Sequence, residues 1–337
     1  MSAYQQIPTS IITGFLGAGK TTAIQHLLRH RPENERWAVI VNEFGQVGID
    51  GALLANQSDD ASQSVVVKEI PGGCLCCVSS QSFTVGLNQL IRSQKPQRII
   101  IEPTGLGHPA RLIETLSGEF YTNVIQLKAV ITLLDARQLQ DPRYTSHETY
   151  MDQVNMADIL VASKSDLYSS EDLQNFYRFA AAHSSGSILQ ASVEQGQINP
   201  AWLELPRNAA RTALHPAQHQ HNSVDIEQRS DSEGWLQSNT DSDDFHSYGW
   251  QLDKTYVFSR SALIDWLLKV SSEQQLARVK AVMLTDQGWL KVNVSGQETD
   301  FEIVTDAEFE SSRLECISAA PMASDAMDQA LRKLVAG

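Results

Sequence analysis

The sequence has few cysteines, no long apolar run and no excess of positive charge, and each absence excludes a class of protein. Only four cysteines occur in 337 residues, and three of them are crowded together, whereas a disulfide framework would spread them along the chain. No run of about 18 apolar residues is present to cross a bilayer. The formal net charge is −14 and the pI is about 5.0, so we expect no binding to nucleic acid or to an anionic membrane surface.

The amino terminus also lacks the pattern of a secretory signal. Residues 1–8 are polar, with neither a basic segment nor an apolar segment after it. We therefore expect a cytoplasmic protein, and in a reducing compartment neighbouring thiols indicate metal ligands or redox groups.

Short β-branched runs alternate with helical patterns over roughly the first 200 residues, as in α/β proteins. Examples are the strand at Trp37–Val41 and the helix at Thr21–Arg31. The alternation predicts a mainly parallel sheet with helices on both faces, whose ligands bind at the carboxyl ends of the strands. We predict a nucleotide-binding domain over 1–205, a polar histidine-containing linker over 206–248, and a small carboxy-terminal α+β domain over 249–337.

A phosphate-binding loop follows the first strand. Residues 14–21, Gly-Phe-Leu-Gly-Ala-Gly-Lys-Thr, fit the pattern G-x-x-x-x-G-K-[ST] between a strand and a helix, which is the context that a P-loop requires. Lys20 is expected to reach the β- and γ-phosphates, and Thr21 to ligate Mg²⁺. The predicted nucleotide contacts in this loop are Gly14, Gly17, Ala18, Gly19, Lys20, Thr21 and Thr22.

Two further strand ends carry nucleotide elements. Glu102, at the end of one apolar strand, is suited to hold the Mg²⁺ shell or to orient the attacking water, and the Gly105 N–H is suited to sense the γ-phosphate. Lys164 and Asp166 match the lysine and aspartate of the N-K-x-D element of GTPases, in which the aspartate accepts hydrogen bonds from the N1–H and 2-amino groups of guanine; Ser163 replaces the usual asparagine. We predict guanine, because adenine has no N1 proton to donate to Asp166, and the alternative is a solvated charged turn.

Cys74, Cys76 and Cys77 lie within one short loop after a predicted strand. Thiolates are soft ligands suited to Zn²⁺, Co²⁺ or Cu⁺. Three thiols this close cannot easily complete a rigid tetrahedral site, so we predict an open, exchangeable metal site. A redox pair and a buried trio of small residues are the alternatives.

The order of these motifs resembles that of the CobW-type P-loop GTPases, relatives of HypB and UreG. The resemblance covers residues 8 to about 192, with a weaker match in the last ninety or so residues. It rests on the P-loop (14–21), Asn42-Glu43-Phe44-Gly45 with Asp50, Gly73–Cys77, Glu102–Leu106, Gln153 and Lys164-x-Asp166.

The resemblance implies GTP hydrolysis coupled to loading of Zn²⁺, or Co²⁺, into a client apo-metalloprotein. The acidic two-domain chain is compatible with a monomer and with a homodimer. Residues 42–50 would be switch I and residues 102–107 switch II. The catalytic candidates are then Lys20, Glu43 and Glu102, with a water held by backbone groups as a further possibility for the base. A GTPase merely regulated by metal and a zinc reservoir are the alternatives; Asp166 and the cysteine loop argue against a P-loop kinase.

Several histidines lie near these elements. His108 follows switch II and is either a supplementary ligand or a hydrogen-bonded loop residue. His215, His219 and His221 in the predicted linker either gather metal, as the resemblance implies, or are incidental.

Overall fold

A computed structural model describes residues 6–41, 65–69, 81–107, 109–183, 188–214, 226–231, 234–241, 245–274, 276–295, 298–304 and 309–336. The chain divides into two compact units. All described residues up to 214 belong to the first unit, and those from 226 onward belong to the second.

The first unit contains a seven-stranded sheet in which every pairing is parallel. The strand order is β3-β2-β4-β1-β5-β6-β7, which confirms the predicted α/β fold class. The strands are β1 (Ile7–Gly14), β2 (Trp37–Val41), β3 (Val65–Glu69), β4 (Arg98–Glu102), β5 (Ile125–Asp135), β6 (Ile159–Ser163) and β7 (Leu189–Ser192).

Helices connect these strands and cover the sheet. Helices α2 and α3 pack on the face that carries Ile11 and Ile99. Ile12 and Ile100 point to the opposite face and are also fully buried, so both faces are covered. The helices are α1 (Lys20–Arg29), α2 (Gln81–Gln94), α3 (Pro109–Ser117), α4 (Pro142–Thr145), α5 (Glu148–Asn155) and α6 (Ser170–His183).

The second unit is a seven-stranded antiparallel sheet of order β13-β12-β11-β14-β10-β9-β8 with two helices. The helices α7 (Arg260–Glu273) and α8 (Ser324–Arg332) share an apolar core with the sheet that includes Trp250, Leu263 and Leu331. This confirms the predicted α+β domain. The strands are β8 (Ile226–Ser230), β9 (Trp235–Asp241), β10 (His246–Leu252), β11 (Arg278–Thr285), β12 (Gly288–Ser295), β13 (Glu298–Val304) and β14 (Ser312–Ser318).

Much of the segment predicted as a linker over 206–248 has regular structure or fixed contacts. Arg207 lies 3.3 Å from the Asp158 carboxylate, and the Leu214 N–H donates to the Asp152 carboxylate at 2.8 Å. Strands β8 and β9 and the start of β10 also fall in this range. Their polar residues, such as Gln237, hide the two-residue alternation on which a strand prediction depends.

Among the described residues, no helix combines the length and the apolar character needed to span a bilayer.

Candidate functional site

The P-loop is shaped by two glycines that the backbone requires. Gly14 has φ 148°, and a Cβ added there would lie 2.3 Å from the Leu133 carbonyl oxygen. Gly19 has φ 83° and immediately precedes α1. A side chain at Gly14 would clash with β5, and one at Gly19 would strain the turn into the helix. The backbone N–H groups at the start of α1 therefore open onto a glycine-shaped loop, as in phosphate sites.

Lys20 is buried and lies against the inside of this loop. Its Nζ donates hydrogen bonds to the carbonyl oxygens of Gly14 at 2.9 Å and Phe15 at 3.2 Å. The loop thus holds one desolvated positive charge, which is the group that a polyphosphate needs at this position.

Thr21 and Glu102 meet across the sheet edge. The Thr21 hydroxyl donates to Oε1 of Glu102 at 3.0 Å, and only 2% of Glu102 is exposed. Thr21 lies in the first turn of α1 and Glu102 ends β4, so the parallel topology brings them together. Hydroxyl and carboxylate oxygens are the hard ligands that Mg²⁺ prefers. The donor set therefore fits the predicted magnesium site.

The loop after β4 touches the P-loop through its backbone. A Cβ added at Gly105 would lie 2.8 Å from Leu16 Cδ2 and 3.0 Å from the Leu16 nitrogen. Within the loop, the Gly107 N–H donates to the Thr104 carbonyl at 3.0 Å, and the Thr104 hydroxyl accepts from the Leu106 N–H at 3.2 Å. Only glycine permits this approach, so a change at the phosphates has a direct path into the loop.

Gln153 holds this loop from the other side. Its buried amide donates to the carbonyl oxygens of Gly105 and Gly107, both at 3.1 Å. In the sequence, Gln153 stands out only as part of the family resemblance. The sequence signal was an amide on a short helix whose neighbours Tyr150 and Val154 are core residues. An amide buried there needs partners.

The loop after β6, residues 164–169, is the base loop: it carries the residues predicted to contact the guanine base. Lys164 adopts a left-handed conformation with φ 57°, and its Nζ lies 3.8 Å from Asp135 at the end of β5. Asp166 is exposed on the same turn. The Ser163 hydroxyl donates to the Leu134 carbonyl at 3.0 Å, so this serine is bonded to the neighbouring strand. Sequence reasoning missed Asp135, although it ends a buried strand at the same sheet edge.

The loop after β7 makes contacts with the site that the sequence did not predict. Its Gly196 has φ 71°, and a Cβ there would lie 2.8 Å from the Ala23 nitrogen. The same loop accepts the Ser165 N–H at the Val193 carbonyl, at 3.0 Å. It therefore joins the base loop to the first turns of α1.

Tyr168 supports the base loop as a neutral hydroxyl. The hydroxyl donates to the Ser163 carbonyl and accepts the Ala136 N–H at 2.8 Å. Burial raises its pKa, and the neighbouring Asp135 also raises it. A hydroxyl that stays protonated can keep donating to a carbonyl at neutral pH.

A family model described as "CobW/HypB/UreG, nucleotide-binding domain" matches residues 8–186. This chain belongs to the CobW/HypB/UreG family. The match spans β1 through α6, the part of the chain that builds the site described above.

Individual relatives agree with this membership. The chain is 39% identical over 331 residues to the "Zinc chaperone YeiR" of Escherichia coli (strain K12), covering 97% of both chains. It is 30% identical over 177 residues to the "Zinc-regulated GTPase metalloprotein activator 1" of Schizosaccharomyces pombe, covering 51% of this chain and 42% of the relative. The crystal structure of Zn(II)-bound YjiA GTPase from E. coli aligns with 98% of this chain and all of its own, at 20% identity and a TM-score of 0.42.

The CobW-family chain thus brings together only part of the predicted set. Lys20, Thr21, Glu102 and Gly105 share one sheet edge, and Lys164 and Asp166 share one turn. Glu43 of switch I, His108 and the cysteine loop lie outside the described residues; the cysteines are Cys74, Cys76 and Cys77. Elsewhere, among residues the structure does describe, no group of three or more metal-ligating side chains is assembled.

Proposed function

We propose that this P-loop GTPase binds zinc at Cys74, Cys76 and Cys77 and delivers it to a client apo-metalloprotein. The observation that carries the proposal is the contact of Gly105 with Leu16. Through this contact, a movement of the P-loop on nucleotide binding would be passed to the loop after β4. The name of the YeiR relative, aligned along 97% of both chains, supports zinc as the cargo. Thiolates also accept Co²⁺, which is the second candidate metal.

GTP would be held by the P-loop and the base loop. Lys20 must exchange its bonds to the Gly14 and Phe15 carbonyls for phosphate oxygens when nucleotide binds. The loop N–H groups of Gly17, Ala18 and Gly19 would donate to the same phosphates, with Thr22 following them, and the Ala18 N–H would then give up its bond to the Phe15 carbonyl at 3.3 Å. At the other end, Lys164 would lie along the guanine, and Asp166 would accept hydrogen bonds from its N1–H and 2-amino groups.

Mg²⁺, when bound, neutralises charge that develops on the β- and γ-phosphate oxygens. Thr21 and Glu102 would hold it. Because Glu102 Oε1 already accepts from Thr21, we assign this carboxylate to the magnesium shell. Glu43 or a water held by backbone groups is then left as the catalytic base.

The γ-phosphate would order switch I and switch II together, and that order would complete the cysteine site. Hydrolysis would then release the switches and loosen the zinc. The thiols must lose their protons to bind the metal, so zinc uptake would release protons and weaken at low pH.

A competitive Zn²⁺ titration against a chromogenic chelator tests the proposal. The full chain is titrated with GDP and with a non-hydrolysable GTP analogue, beside Cys76→Ser/Cys77→Ser. Coupling of the usual size predicts roughly 5–150-fold tighter zinc binding with the analogue, and the double variant should lose this gain. Cys316→Ala is the matched control, because Cys316 is buried in β14 and burial raises the pKa of its thiol.

Equal zinc affinity with both nucleotides would contradict the gated chaperone. A second candidate function is a GTPase that zinc only regulates; the name of the S. pombe relative includes regulation by zinc, together with activation of a metalloprotein. It predicts zinc-stimulated turnover with no faster release of zinc to the chelator during hydrolysis. A zinc reservoir predicts neither stimulation nor release.

A further inference from the structure

Two histidines lie side by side at the end of α1, away from the cysteine loop in sequence. His26 is in the last turn of the helix, and His30 is its C-cap residue. Residues four apart share one face of a helix. The two imidazole rings are 4.2 Å apart between centroids and tilted by 34°, so both rings lie over one patch of surface.

His30 has its Nδ1 fixed by the helix backbone. This nitrogen lies 2.8 Å from the His26 carbonyl oxygen. A carbonyl only accepts, so Nδ1 carries the proton and Nε2 of the neutral ring keeps its lone pair. Histidines that bind metals usually donate their other N–H to such a carbonyl, which fixes the ring and its tautomer.

His26 is also suited to bind a metal as the neutral ring. Partial burial lowers its pKa, and the charges of His30 and Arg29 lower it further. Within the described chain, no residue hydrogen-bonds to the ring nitrogens of His26. The negative end of the α1 dipole favours a cation at this position, while the exposed Arg29 opposes it.

We infer that His26 and His30 form a two-histidine site for a divalent transition-metal ion, with water completing the coordination. Imidazole nitrogens are ligands for Zn²⁺, Cu²⁺ and Ni²⁺. Two histidines spaced i, i+4 on a helix present both nitrogens to one ion. With only two protein ligands the site exchanges its ion readily. The inference does not depend on the cysteine loop or on zinc delivery.

Helix α6 offers a matched control with a single imidazole. His183 ends this helix, and its Nδ1 lies 3.0 Å from the Phe179 carbonyl. The His183 and Phe179 rings are 4.3 Å apart and tilted by 32°. The geometry is nearly that of the His26–His30 pair, but the first ring is phenylalanine and cannot bind a metal.

The test uses the full chain with Cys74→Ser, Cys76→Ser and Cys77→Ser, so that the predicted thiolate site does not compete. Zn²⁺ is titrated by calorimetry, and the imidazole Cε1–H signals are followed by NMR. We expect the His26 and His30 signals to shift together, and either His26→Gln or His30→Gln to remove one zinc equivalent. His183→Gln should remove none, and Phe179→His should add one beside His183.

The inference is overturned if both glutamine variants keep the full zinc stoichiometry and the His26 and His30 signals do not shift. The thermal midpoint of each variant, measured without metal, checks that the helix end stays folded. The NMR signals assign any zinc bound by histidines elsewhere in the chain, such as His219, to those residues instead.

Discussion

The two sheets of this molecule each have seven strands but place their polar groups differently. In the first, Glu102, Asp135 and Ser163 are the final residues of β4, β5 and β6. In the second, Ser247 and Glu315 lie inside strands. All carboxyl ends of a parallel sheet share one edge, so polar residues there converge on a site. An antiparallel sheet alternates its strand ends and gathers no such edge.

The polar groups of the second unit therefore stabilise the fold. Glu315 is buried 4.0 Å from Arg278, and the Ser247 hydroxyl donates to it at 3.3 Å. Burial raises the pKa of Glu315, while Arg278 and Lys280 oppose the rise. Nearby in the unit, Trp235 and Trp250 both donate their indole N–H to Oδ1 of one residue, Asp328, at 2.7 and 3.0 Å.

The difference between the two sheets predicts that the largest effect on GTP turnover comes from a substitution in the P-loop. Lys20→Ala should lower the turnover of GTP about 10²–10³-fold, as expected for loss of a group that stabilises transition-state charge. Unfolding should change by only about 1–2 kcal/mol, from the lost hydrogen bonds to two carbonyls. Lys291→Ala in β12 is the control, since this lysine pairs with the exposed Glu302 at 3.6 Å, away from the P-loop in sequence. Steady-state hydrolysis by the Lys20 variant at the wild-type rate would show that the P-loop is not the active site.

Asp328→Ala should have the opposite effect: it should lower stability and leave GTP turnover unchanged. Two indole N–H groups lose their acceptor, at about 1–3 kcal/mol for each unsatisfied donor, so we expect a loss of roughly 2–6 kcal/mol in the second unit. Urea unfolding followed by tryptophan fluorescence measures it. Asp328→Asn keeps an acceptor and should lose less than half as much. A fall in GTP turnover with an unchanged free energy of unfolding would contradict the conclusion that Asp328 stabilises the fold.

Gln153→Leu tests a contact that serves the site from within the fold. It removes two buried hydrogen bonds to the carbonyls of Gly105 and Gly107. At about 1 kcal/mol for each bond, kcat should fall roughly 10–30-fold, while GDP affinity stays unchanged because the base loop is untouched. Asn155→Ala is the control, since the hydrogen bond that Asn155 donates, at 2.8 Å, goes to Met151 in its own helix. Equal losses in both variants would point to helix stability instead of loop position.

The sequence predicts those parts of the fold that depend on local pattern. β2 and β4 are buried at every residue, so their continuous apolar runs indicate a parallel sheet covered on both faces. The P-loop is equally local, because its glycines, lysine and threonine are contiguous. The strands β8 and β9 escape prediction, because their polar residues carry no clear alternation.

The contacts that sequence reasoning missed join residues far apart in the chain. Asp135 meets Lys164 at 3.8 Å, and Gln153 meets Gly105, 48 positions away. Neither pairing leaves a local pattern, because it depends on which strand lies next to which. The order β1-β5-β6 supplies that information, and it follows from the packing of the whole sheet.

The smallest expected effect lies in the first unit but away from its site, at the start of α6. The Ser169 hydroxyl accepts the Asp172 N–H at 3.2 Å, and the Asp172 carboxylate accepts the Ser169 N–H at 2.8 Å, a capping box. The hydroxyl also donates to the same carboxylate at 2.7 Å. Ser169→Ala should lower the free energy of unfolding by about 1 kcal/mol and leave GTP turnover unchanged.

Lowering the pH should weaken the same cap. The hydrogen bonds from the Ser169 side chain and then its N–H lower the pKa of Asp172 below its usual 3.8. A lowered folded-state pKa means that this contribution is present above the unfolded-state pKa and is lost as pH falls through the folded-state pKa. The difference in unfolding free energy between wild type and Asp172→Asn should therefore be greatest near neutral pH and shrink below the usual aspartate range. A difference that grows on acidification would mean that Asp172 acts as a neutral acid, and that this cap holds the helix by its hydroxyl alone.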